Sequence, residues 1–438
     1  MAKNKFAGIH IDDNKLSKDV AITRLDAPKV VYIPLSQHIG KHASSIVKVG
    51  DSVLKGQLIA QSPNPDDLSA KIFSSVSGIV SGINIKRPAT SGIANHIQIE
   101  NDFKYEQFVL PKLIDPSIEE IIDRVYESGI VGMGGAGFPT HIKLKVGDEI
   151  DTLIVNGIEC EPYITCDYRL MLEYTQEMLQ GILLIAKCVK ASTVLLCIKQ
   201  NTSLANHLNQ AIVSNSQYNN IVVKQLQSIY PLGSEKQLIY AATGRKVPAL
   251  GLPKAVGVVV SNVATSYSVY NAVVNGITSY ERLVTVTGRC VNKPCNVWVS
   301  NGTPIEHLLD YAEIDPNIVV KIVIGGPMMG TALDNTQIST TKIINCILAL
   351  TKLETSYSVP SECINCSLCA KTCPMKLMPM FIVKYGNVDD ASNSAKYGAK
   401  DCIECGCCSF VCPAKIPLVA EIRNAKKVVA KAEKKKKV

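Results

Sequence analysis

The sequence predicts a multidomain α/β protein, and patterns in three parts of the 438-residue chain indicate it. Residues 30–100 contain short β-branched runs separated by glycine and proline turns, which is typical of an all-β module. Residues 111–275 alternate apolar strand-like runs with helical patterns, which indicates a sheet covered by helices. Two dense cysteine runs follow near the C-terminus. The length allows two to four domains. We expect their limits at 1–110, 111–275, 276–350 and 351–422, with a lysine-rich tail at 423–438.

The N-terminal region is predicted to form a barrel-sandwich β module. Val-Gly-Asp at 49–51 with Lys-Gly-Gln at 55–57, and then Ser-Gly-Ile-Val at 77–80, resemble the two halves of a lipoyl or biotinyl carrier domain. In such carriers the hairpin between the halves presents a modifiable lysine. The corresponding residues 62–69 contain no lysine, so we expect a scaffold and not a swinging arm. The predicted strands are 30–33, 46–49, 57–60, 70–73, 79–83 and 96–99.

A glycine-rich loop lies early in the second region. It reads Gly-Met-Gly-Gly-Ala-Gly-Phe-Pro-Thr at 132–140, and Lys143 follows it. Glycines at this density let backbone N–H groups approach a ligand closely, and next to a helix end they can form an anion site. Tight turns use the same residues, so the loop alone is weak evidence, and the downstream residues strengthen it.

The residues after the loop predict a nucleotide-binding edge. An apolar strand-like run at 152–155 ends in the polar phrase Asn-Gly-Ile-Glu-Cys-Glu-Pro at 156–162. In open α/β sheets nucleotides bind at the C-terminal edge of the strands. The region is therefore expected to be a Rossmann-like layer. Its further strands are predicted at 193–198 and 221–226, and its helices at 171–188 and 203–213.

The two cysteine runs predict two [4Fe-4S] clusters. Each run has the C-x2-C-x2-C-x3-C-P spacing, in which three thiolates of one run and the fourth of the other bind one cluster. Disulfides and zinc suit this pattern less well, because four thiols lie within eleven residues and the spacing recurs. Cys407, between ligands, is interpreted as a small side chain packed by a cluster. The predicted ligands are Cys363, Cys366, Cys369 and Cys412 for one cluster, and Cys402, Cys405, Cys408 and Cys373 for the other.

Composition places limits on the function. The remaining eight cysteines have no regular framework, which suits a reducing compartment. The polar start at residues 1–5 predicts no signal peptide, and apolar runs such as 343–350 are too short to cross a bilayer. Residues 424–438 hold seven Lys and one Glu, which accounts for most of the net charge of +8 and leaves no nucleic-acid signal elsewhere. Such a tail is either a solvated, disordered end or a docking strip for an acidic partner or an anionic membrane surface.

Several phrases together resemble the flavin- and NADH-binding subunit of respiratory complex I. They are the glycine loop, Asn-x-x-Glu-x-Glu-Pro at 156–162, Tyr-Pro-Leu-Gly-Ser-Glu at 230–235 and Asn-Val-Ala-Thr at 262–265. A β-grasp-like segment at about 281–345, with Gly-Gly-Pro-Met-Met-Gly at 325–330, then precedes the two cluster motifs. With the barrel-sandwich first, this order is similar to the C-subunit family of the Rnf (or Rsx) electron transport complex over nearly the whole chain.

The resemblance implies bound FMN and NAD(H), and it implies which residues hold them. Phosphate and flavin oxygens would be held by Gly132, Gly134, Gly135, Gly137 and Lys143, and Phe138 would offer an aromatic face to the dinucleotide. Flavin-pocket positions are matched by Asn156, Glu159, Tyr230, Gly233, Glu235, Asn262 and Thr265, and Glu161 matches one that faces NADH. Ile158 and Ser234 depart from the complex I pattern, since both replace an acceptor, and Ser261 replaces an asparagine.

The resemblance also implies the reaction. NADH would give a hydride to FMN, which would release the electrons singly to the clusters, so no residue is assigned a catalytic role. The chain would be a peripheral subunit on the cytoplasmic face of a bacterial membrane complex that couples ferredoxin:NAD+ electron transfer to cation transport. Its partners would be the other subunits and, indirectly, ferredoxin, with no nucleic acid and no membrane span. Two alternatives stay open: a soluble cobalamin reductase of a microcompartment, and a two-cluster electron wire whose flavin site is vestigial.

Overall fold

The computed structural model describes residues 6–90, 92–147, 149–355 and 359–436. The polar start at 1–5 and the end of the lysine-rich tail at 437–438 lie outside them. The N-terminal strands are β1 (Thr23–Arg24), β2 (Val30–Pro34), β3 (Ser44–Ser45), β4 (Ser52–Val53), β5 (Leu58–Gln61), β6 (Ile72–Phe73), β7 (Gly78–Ala89) and β8 (Gly92–Asn101).

Strands β2 to β8 form the barrel-sandwich module. They make two sheets, in the orders β2-β8-β7-β4 and β3-β5-β6, and both sheets contribute apolar side chains to one core. The strand predicted at 46–49 is wrong. The short strand β3 ends at Ser45, and residues 46–49 after it do not form a strand. Ile46 and Val49 are 52% and 59% exposed, and only Val47 of the run packs against the core, which is too little burial to hold the run in a sheet.

The second domain is an open α/β layer. In chain order its elements are α1 (Ile118–Glu127), α2 (Thr140–Leu144), β9 (Thr152–Gly157), α3 (Cys166–Glu173), α4 (Thr175–Val189), β10 (Thr193–Lys199), α5 (Thr202–Val213), β11 (Ile221–Leu226), α6 (Glu235–Thr243), β12 (Val258–Asn262) and α7 (Val263–Asn275). The single helix predicted at 171–188 is wrong, since α3 and α4 are separate helices that meet at Tyr174. Helices α4 and α7 pack closely: a Cβ on Gly181 would lie 1.9 Å from Ser266 O.

The sheet of this domain is parallel, in the order β11-β10-β9-β12. The chain runs from β9 through β10 to β11 on one side and then returns to place β12 on the other side of β9. This is a topological switch point, where open α/β sheets form a ligand crevice at the carboxyl ends of the strands. Asn156 at the end of β9 is the register partner of Asn262 at the end of β12. Two predicted site residues therefore meet at this crevice.

The third domain is a mixed sheet that two distant parts of the chain build together. Its elements are β13 (Glu281–Thr287), β14 (Cys295–Ser300), α8 (Ile305–Tyr311), β15 (Val319–Ile324), β16 (Thr331–Ala332) and β17 (Cys346–Thr351). The sheet order is β1-β14-β13-β17-β15-β16, and β1 from the N-terminal segment pairs parallel with β14. The N-terminal segment is thus fixed on the third domain before the chain enters the barrel-sandwich module.

The last domain is helical. It contains α9 (Leu368–Thr372), α10 (Pro379–Gly386), α11 (Ala391–Lys396), α12 (Cys407–Phe410) and α13 (Leu418–Lys436). None of the helices in the described ranges is long and apolar enough to cross a bilayer.

Helix α13 contradicts one of the two interpretations of the lysine-rich tail, the disordered end, as far as residue 436. Residues 423–436 belong to this helix, and Ala425 and Val429 are buried together with Leu418 and Ile422 in the core of the last domain. The four apolar positions recur every three or four residues and so form one stripe of the helix. The many lysines around these positions made the apolar period difficult to recognise in the sequence. The docking role of the lysines stays a prediction.

Candidate flavin and cluster sites

The glycine-rich loop forms a closed turn between α1 and α2. The Gly132 N–H donates to Phe138 O over 2.8 Å, which brings the ends of the loop together. Residues 133–136 form a turn, and the N–H groups of residues 134–137 make no close hydrogen bond to an atom of the described residues. A run of free backbone N–H groups in one turn is a nest that binds anions.

The loop lies against the start of α7. The Met133 N–H donates to Thr265 Oγ1 over 2.9 Å, and a Cβ on Gly134 would lie 3.0 Å from Asn262 Cβ. Asn262 is the N-cap of α7, and its Nδ2 donates to Asp167 Oδ2 over 2.7 Å. The nest, the start of α7 and the start of α3 therefore meet at the carboxyl end of the sheet.

Lys143 and Glu235 border the open side of the crevice. The Lys143 Nζ donates to Val260 O over 3.0 Å and lies 3.7 Å from Glu235 Oε1, and both side chains are partly exposed. Asn156 Nδ2 donates to Gly233 O over 2.9 Å, so the predicted Asn156 and Gly233 also lie together. Lys143 reaches the end of β12 through Val260, and the nest reaches it through Asn262, so the cation and the N–H groups lie at the same edge of the sheet and together suit a phosphate.

Glu159 is a buried acceptor beside the crevice. Its Oε1 accepts the Asp167 N–H over 2.9 Å at the start of α3. Its Oε2 is buried and has no hydrogen-bond partner in the described part of the chain. Burial raises the pKa of Glu159, and Lys15 opposes that shift from 3.9 Å. The free oxygen can accept from a ligand hydroxyl or N–H, which the ribityl chain and ring of FMN both provide.

Glu161 and Tyr230 lie apart from the glycine loop. The Tyr230 hydroxyl donates to Cys405 O over 2.7 Å and lies 3.1 Å from Glu161 Oε1. Glu161 Oε2 accepts the Met328 N–H over 3.1 Å. Burial raises the pKa of Glu161. The structure therefore places both residues at the junction of the second, third and last domains.

The residues present fit FMN on two observations: the free N–H groups of the nest and the unpartnered Glu159 Oε2. Two polar groups predicted to touch the flavin already have protein partners, since Asn156 donates to Gly233 and Thr265 accepts from Met133. The assignment of single residues to cofactor contacts stays a prediction.

Two cavities in the last domain collect the predicted cluster ligands. We name the first the inner cluster site and the second the outer cluster site. Among the predicted ligands, Cys373, Cys402, Cys405 and Cys408 line the inner site, and Cys363, Cys366, Cys369 and Cys412 line the outer site; Cys407, which is not a predicted ligand, also lines the inner site. Each site thus takes three predicted ligands of one run and one of the other, as the spacing predicts. The binding of a cluster by these residues stays a prediction.

The inner site faces the rest of the protein. Cys405 and Cys408 are each 7% exposed, whereas Cys363 and Cys366 of the outer site are exposed. A Cβ on Gly406 would lie 2.7 Å from Met328 O, so the inner loop also packs on the third domain. Backbone N–H groups point at inner sulfurs, as from Glu404 to Cys402 Sγ over 3.4 Å. Such donors stabilise a thiolate ligand.

Sequence reasoning missed residues that arrive from distant segments. Lys15 comes from the N-terminal segment, and Arg282 from β13 donates to Met133 O over 3.1 Å. Asp167 follows the predicted polar phrase but has no motif of its own. Nothing local in the sequence marks these residues, because their role depends on tertiary contacts.

Replacing Gly135 with valine is expected to weaken FMN binding at least about tenfold, or about 1.4 kcal/mol. No atom lies within 4 Å of a Cβ at this position, so the fold accepts the side chain. The isopropyl group would cover the free N–H groups of the nest. Fluorescence titration with FMN measures the loss. Gly147, also open around a Cβ and outside the loop, supplies the matched control Gly147→Val, and equal weakening by both variants would contradict the prediction.

Two solved structures of an NAD+-reducing [NiFe]-hydrogenase resemble the chain. The air-oxidized structure has a TM-score of 0.47 at 19% identity and covers 72% of this chain. The H2-reduced structure has a TM-score of 0.48 at 16% identity, also over 72% of this chain. The chain spans 54% and 61% of the length of these hydrogenase chains.

Four family models match successive parts of the chain. They are the RnfC barrel sandwich hybrid domain at residues 4–104, the Nuo51 FMN-binding domain at 125–271, the SLBB domain at 283–332 and a 4Fe-4S dicluster domain at 362–416. The matches confirm the predicted multidomain α/β fold and support FMN and iron–sulfur clusters as its cofactors. These are the domains of an electron-transfer subunit of the NADH-dehydrogenase type. In this order they match the architecture of the RnfC subunit, which is related to the 51 kDa subunit of complex I.

Proposed function

We propose that this chain is the peripheral NADH-oxidising and NAD+-reducing subunit of a membrane Rnf-type complex. It passes electrons between NAD(H), FMN and two [4Fe-4S] clusters, in ferredoxin:NAD+ electron transfer coupled to cation transport. The observation that supports this most is the hydrogen bond from the Tyr230 hydroxyl to Cys405 O, because it joins the flavin domain to the loop of the inner cluster site.

The residues of the crevice bind and orient the reactants. The nest at 134–137 and Lys143 hold phosphate, and Glu159 accepts from the bound flavin. FMN, when bound, accepts two electrons as a hydride from NADH and releases them one at a time. Hydride transfer to a flavin requires no general base, so the contribution of the side chains is to position the reactants.

The positions of the two cluster sites suggest a path for electrons from the flavin domain to the protein surface. The inner site lies against the flavin domain through Cys405, and Cys363 and Cys366 expose the outer site to solvent. We assign the inner cluster to exchange with the flavin and the outer cluster to exchange with another subunit. That subunit would belong to the membrane part, at the cytoplasmic face of a bacterial membrane. The exposed Lys427 and Lys431 of α13 and the barrel-sandwich module are the candidate docking surfaces.

An anaerobic titration tests the proposal. The purified chain is loaded with iron, sulfide and FMN, NADH is added, and flavin and cluster absorbance are followed together. Bleaching of both is expected. Reduction of the clusters by dithionite but not by NADH would contradict the proposal and favour the electron wire. In membrane vesicles that hold the whole complex, reduced ferredoxin is expected to drive NADH formation together with cation uptake, and removal of this chain is expected to abolish both.

A further inference from the structure

A segment before the first strand lies across the flavin domain. We name residues 8–18 the N-terminal strap. Near one end Ile9 and Tyr230 exchange backbone hydrogen bonds of 2.9 and 3.0 Å. Near the other end Ser17 Oγ lies 2.6 Å from Thr165 Oγ1. The strap is therefore fixed at both ends along the carboxyl edge of the parallel sheet.

Lys15 is the central contact of the strap. Its Nζ donates to the carbonyl oxygens of Glu159 over 3.0 Å, Glu161 over 2.9 Å and Ile164 over 2.5 Å. These bonds use all three ammonium protons. The side chain is 15% exposed, and its charge lies 3.9 Å from Glu159 Oε2.

The three carbonyl groups belong to one loop, residues 158–165, which joins β9 to α3 outside any sheet. The strap also accepts a bond from this loop, since the Tyr163 N–H donates to Asp13 O over 2.8 Å. The loop carries Glu159 toward α3 and Glu161 toward Met328 and Tyr230. The strap thus supplies hydrogen-bonding partners that fix this loop. The loop in turn holds the carboxylates of Glu159 and Glu161, which point in different directions.

We propose that Lys15 is a positioning residue of the flavin crevice. Its ammonium fixes the 158–165 loop and holds the free oxygen of Glu159 at the crevice, so the affinity for FMN depends on a residue outside the flavin domain. This inference rests on the proposed function, because it takes FMN as the occupant of the crevice. It gives the strap a role in cofactor binding as well as in the fold.

Lys15→Met, in the full chain with both clusters, tests the inference. Methionine keeps the apolar stem and removes the charge and the donors. We expect the FMN dissociation constant, measured by flavin fluorescence, to rise at least tenfold while the iron content stays that of the wild type. Lys18→Met is the matched control from the same strap, since the Lys18 ammonium lies over the Tyr168 ring, 5.3 Å from its centroid, and not on the loop. It is expected to change the constant less than twofold.

Rescue distinguishes positioning from a general effect on the fold. Lys15→Arg keeps the positive charge and several donors, so its FMN affinity is expected to lie between those of Lys15→Met and the wild type. The midpoint potential of the bound flavin is expected to shift to lower values in Lys15→Met, because the reduced flavin anion loses a nearby cation. Lys15→Arg and Lys18→Met are expected to keep the wild-type potential more closely.

Each outcome decides the inference. Wild-type FMN affinity in a folded Lys15→Met chain overturns it. If Lys15→Met does not retain its iron, Lys15→Gln, which keeps two N–H donors, is measured in its place, and wild-type affinity there overturns it equally. If neither neutral variant retains iron, Lys15 serves the fold and the inference fails. A wild-type chain that binds no FMN refutes the proposed function itself, whereas unaffected variants of an FMN-binding chain refute only the role of Lys15.

Discussion

Replacing Cys405 with serine is expected to remove the inner cluster and to stop NADH from reducing the outer one. Cys405 lines the inner site, and its carbonyl accepts the hydrogen bond from Tyr230 that joins this site to the flavin domain. Without the inner cluster, electrons from the flavin have no relay to the exposed outer site. We expect the rate of outer-cluster reduction to fall at least about 100-fold, or about 3 kcal/mol in the barrier.

Cys363→Ser provides the complementary result. Cys363 lines the outer site and is exposed, so its loss is expected to remove the outer cluster while NADH still reduces the inner cluster at the wild-type rate. Cys407→Ser is the matched control for Cys405. Cys407 is 1% exposed and also lines the inner site, but it is not a predicted ligand, and the variant is expected to keep both clusters.

Iron analysis, electron paramagnetic resonance and stopped-flow absorbance after NADH addition measure these effects. Outer-cluster reduction at the wild-type rate in Cys405→Ser would contradict the inner-to-outer order. Loss of NADH-driven inner reduction in Cys363→Ser would show that the flavin reaches the outer cluster first. The pair of variants therefore tests the order of the clusters separately from their existence.

The features for which the sequence offers a prediction are those in which the chemistry is local. The spacing of each cysteine run fixes which thiols can reach one cluster, so the grouping with Cys373 and Cys412 exchanged between runs follows from the motif alone. The loop at 132–138 was also recognisable, since a nest needs only consecutive small residues. In both cases the residues that act together are close in sequence.

The features that sequence reasoning missed depend on contacts between distant segments. Nothing near Lys15 in the sequence indicates that its ammonium binds three carbonyls of the loop at 158–165. The direction of Glu161 is set by Met328 from the third domain and by Tyr230. In the tail, the apolar period at Ala425 and Val429 was obscured by the lysines around it.

A second large effect is expected from a buried lysine at the junction of three domains. Lys342 is 1% exposed, and its Nζ donates to Lys71 O in the N-terminal module over 2.6 Å and to Gly129 O in the flavin domain over 2.7 Å. Both of these partners are carbonyl groups, so they provide no negative charge to compensate the ammonium. Burial lowers the pKa of Lys342 from 10.5 to about 7.

The sign of the pH dependence follows from this shift. Between pH 7 and 10.5 the unfolded chain holds a proton on Lys342 that the folded chain has released. The free energy of unfolding therefore rises with pH in this window, by up to about 1.4 kcal/mol per pH unit. Below pH 7 the full cost of the buried charge is present. His38, whose pKa burial lowers to about 4, titrates at more acidic pH and does not contribute to this window.

Lys342→Met is expected to lose this part of the pH dependence. Methionine does not titrate, and it leaves the two carbonyls without their donor, so the variant is expected to be less stable than the wild type at pH 9.5. The difference is expected to shrink by about 3 kcal/mol when the pH falls to 7. Anaerobic urea unfolding at several pH values measures it. Lys71→Met is the matched control, because Lys71 lies at the same junction but pairs with the Glu127 carboxylate over 2.6 Å, and it is expected to keep the wild-type slope.

Equal slopes in the wild type and Lys342→Met would contradict the buried, neutral lysine and indicate that water reaches the junction. The expected result has a consequence for the site as well. Gly129 lies three residues before Gly132, so the bond from Lys342 fixes the backbone just before the glycine loop. Protonation of the buried Lys342 destabilises the folded junction that positions the nest. We therefore expect FMN affinity to weaken from pH 9 to pH 7 in the wild type, and to change less over this interval in Lys342→Met.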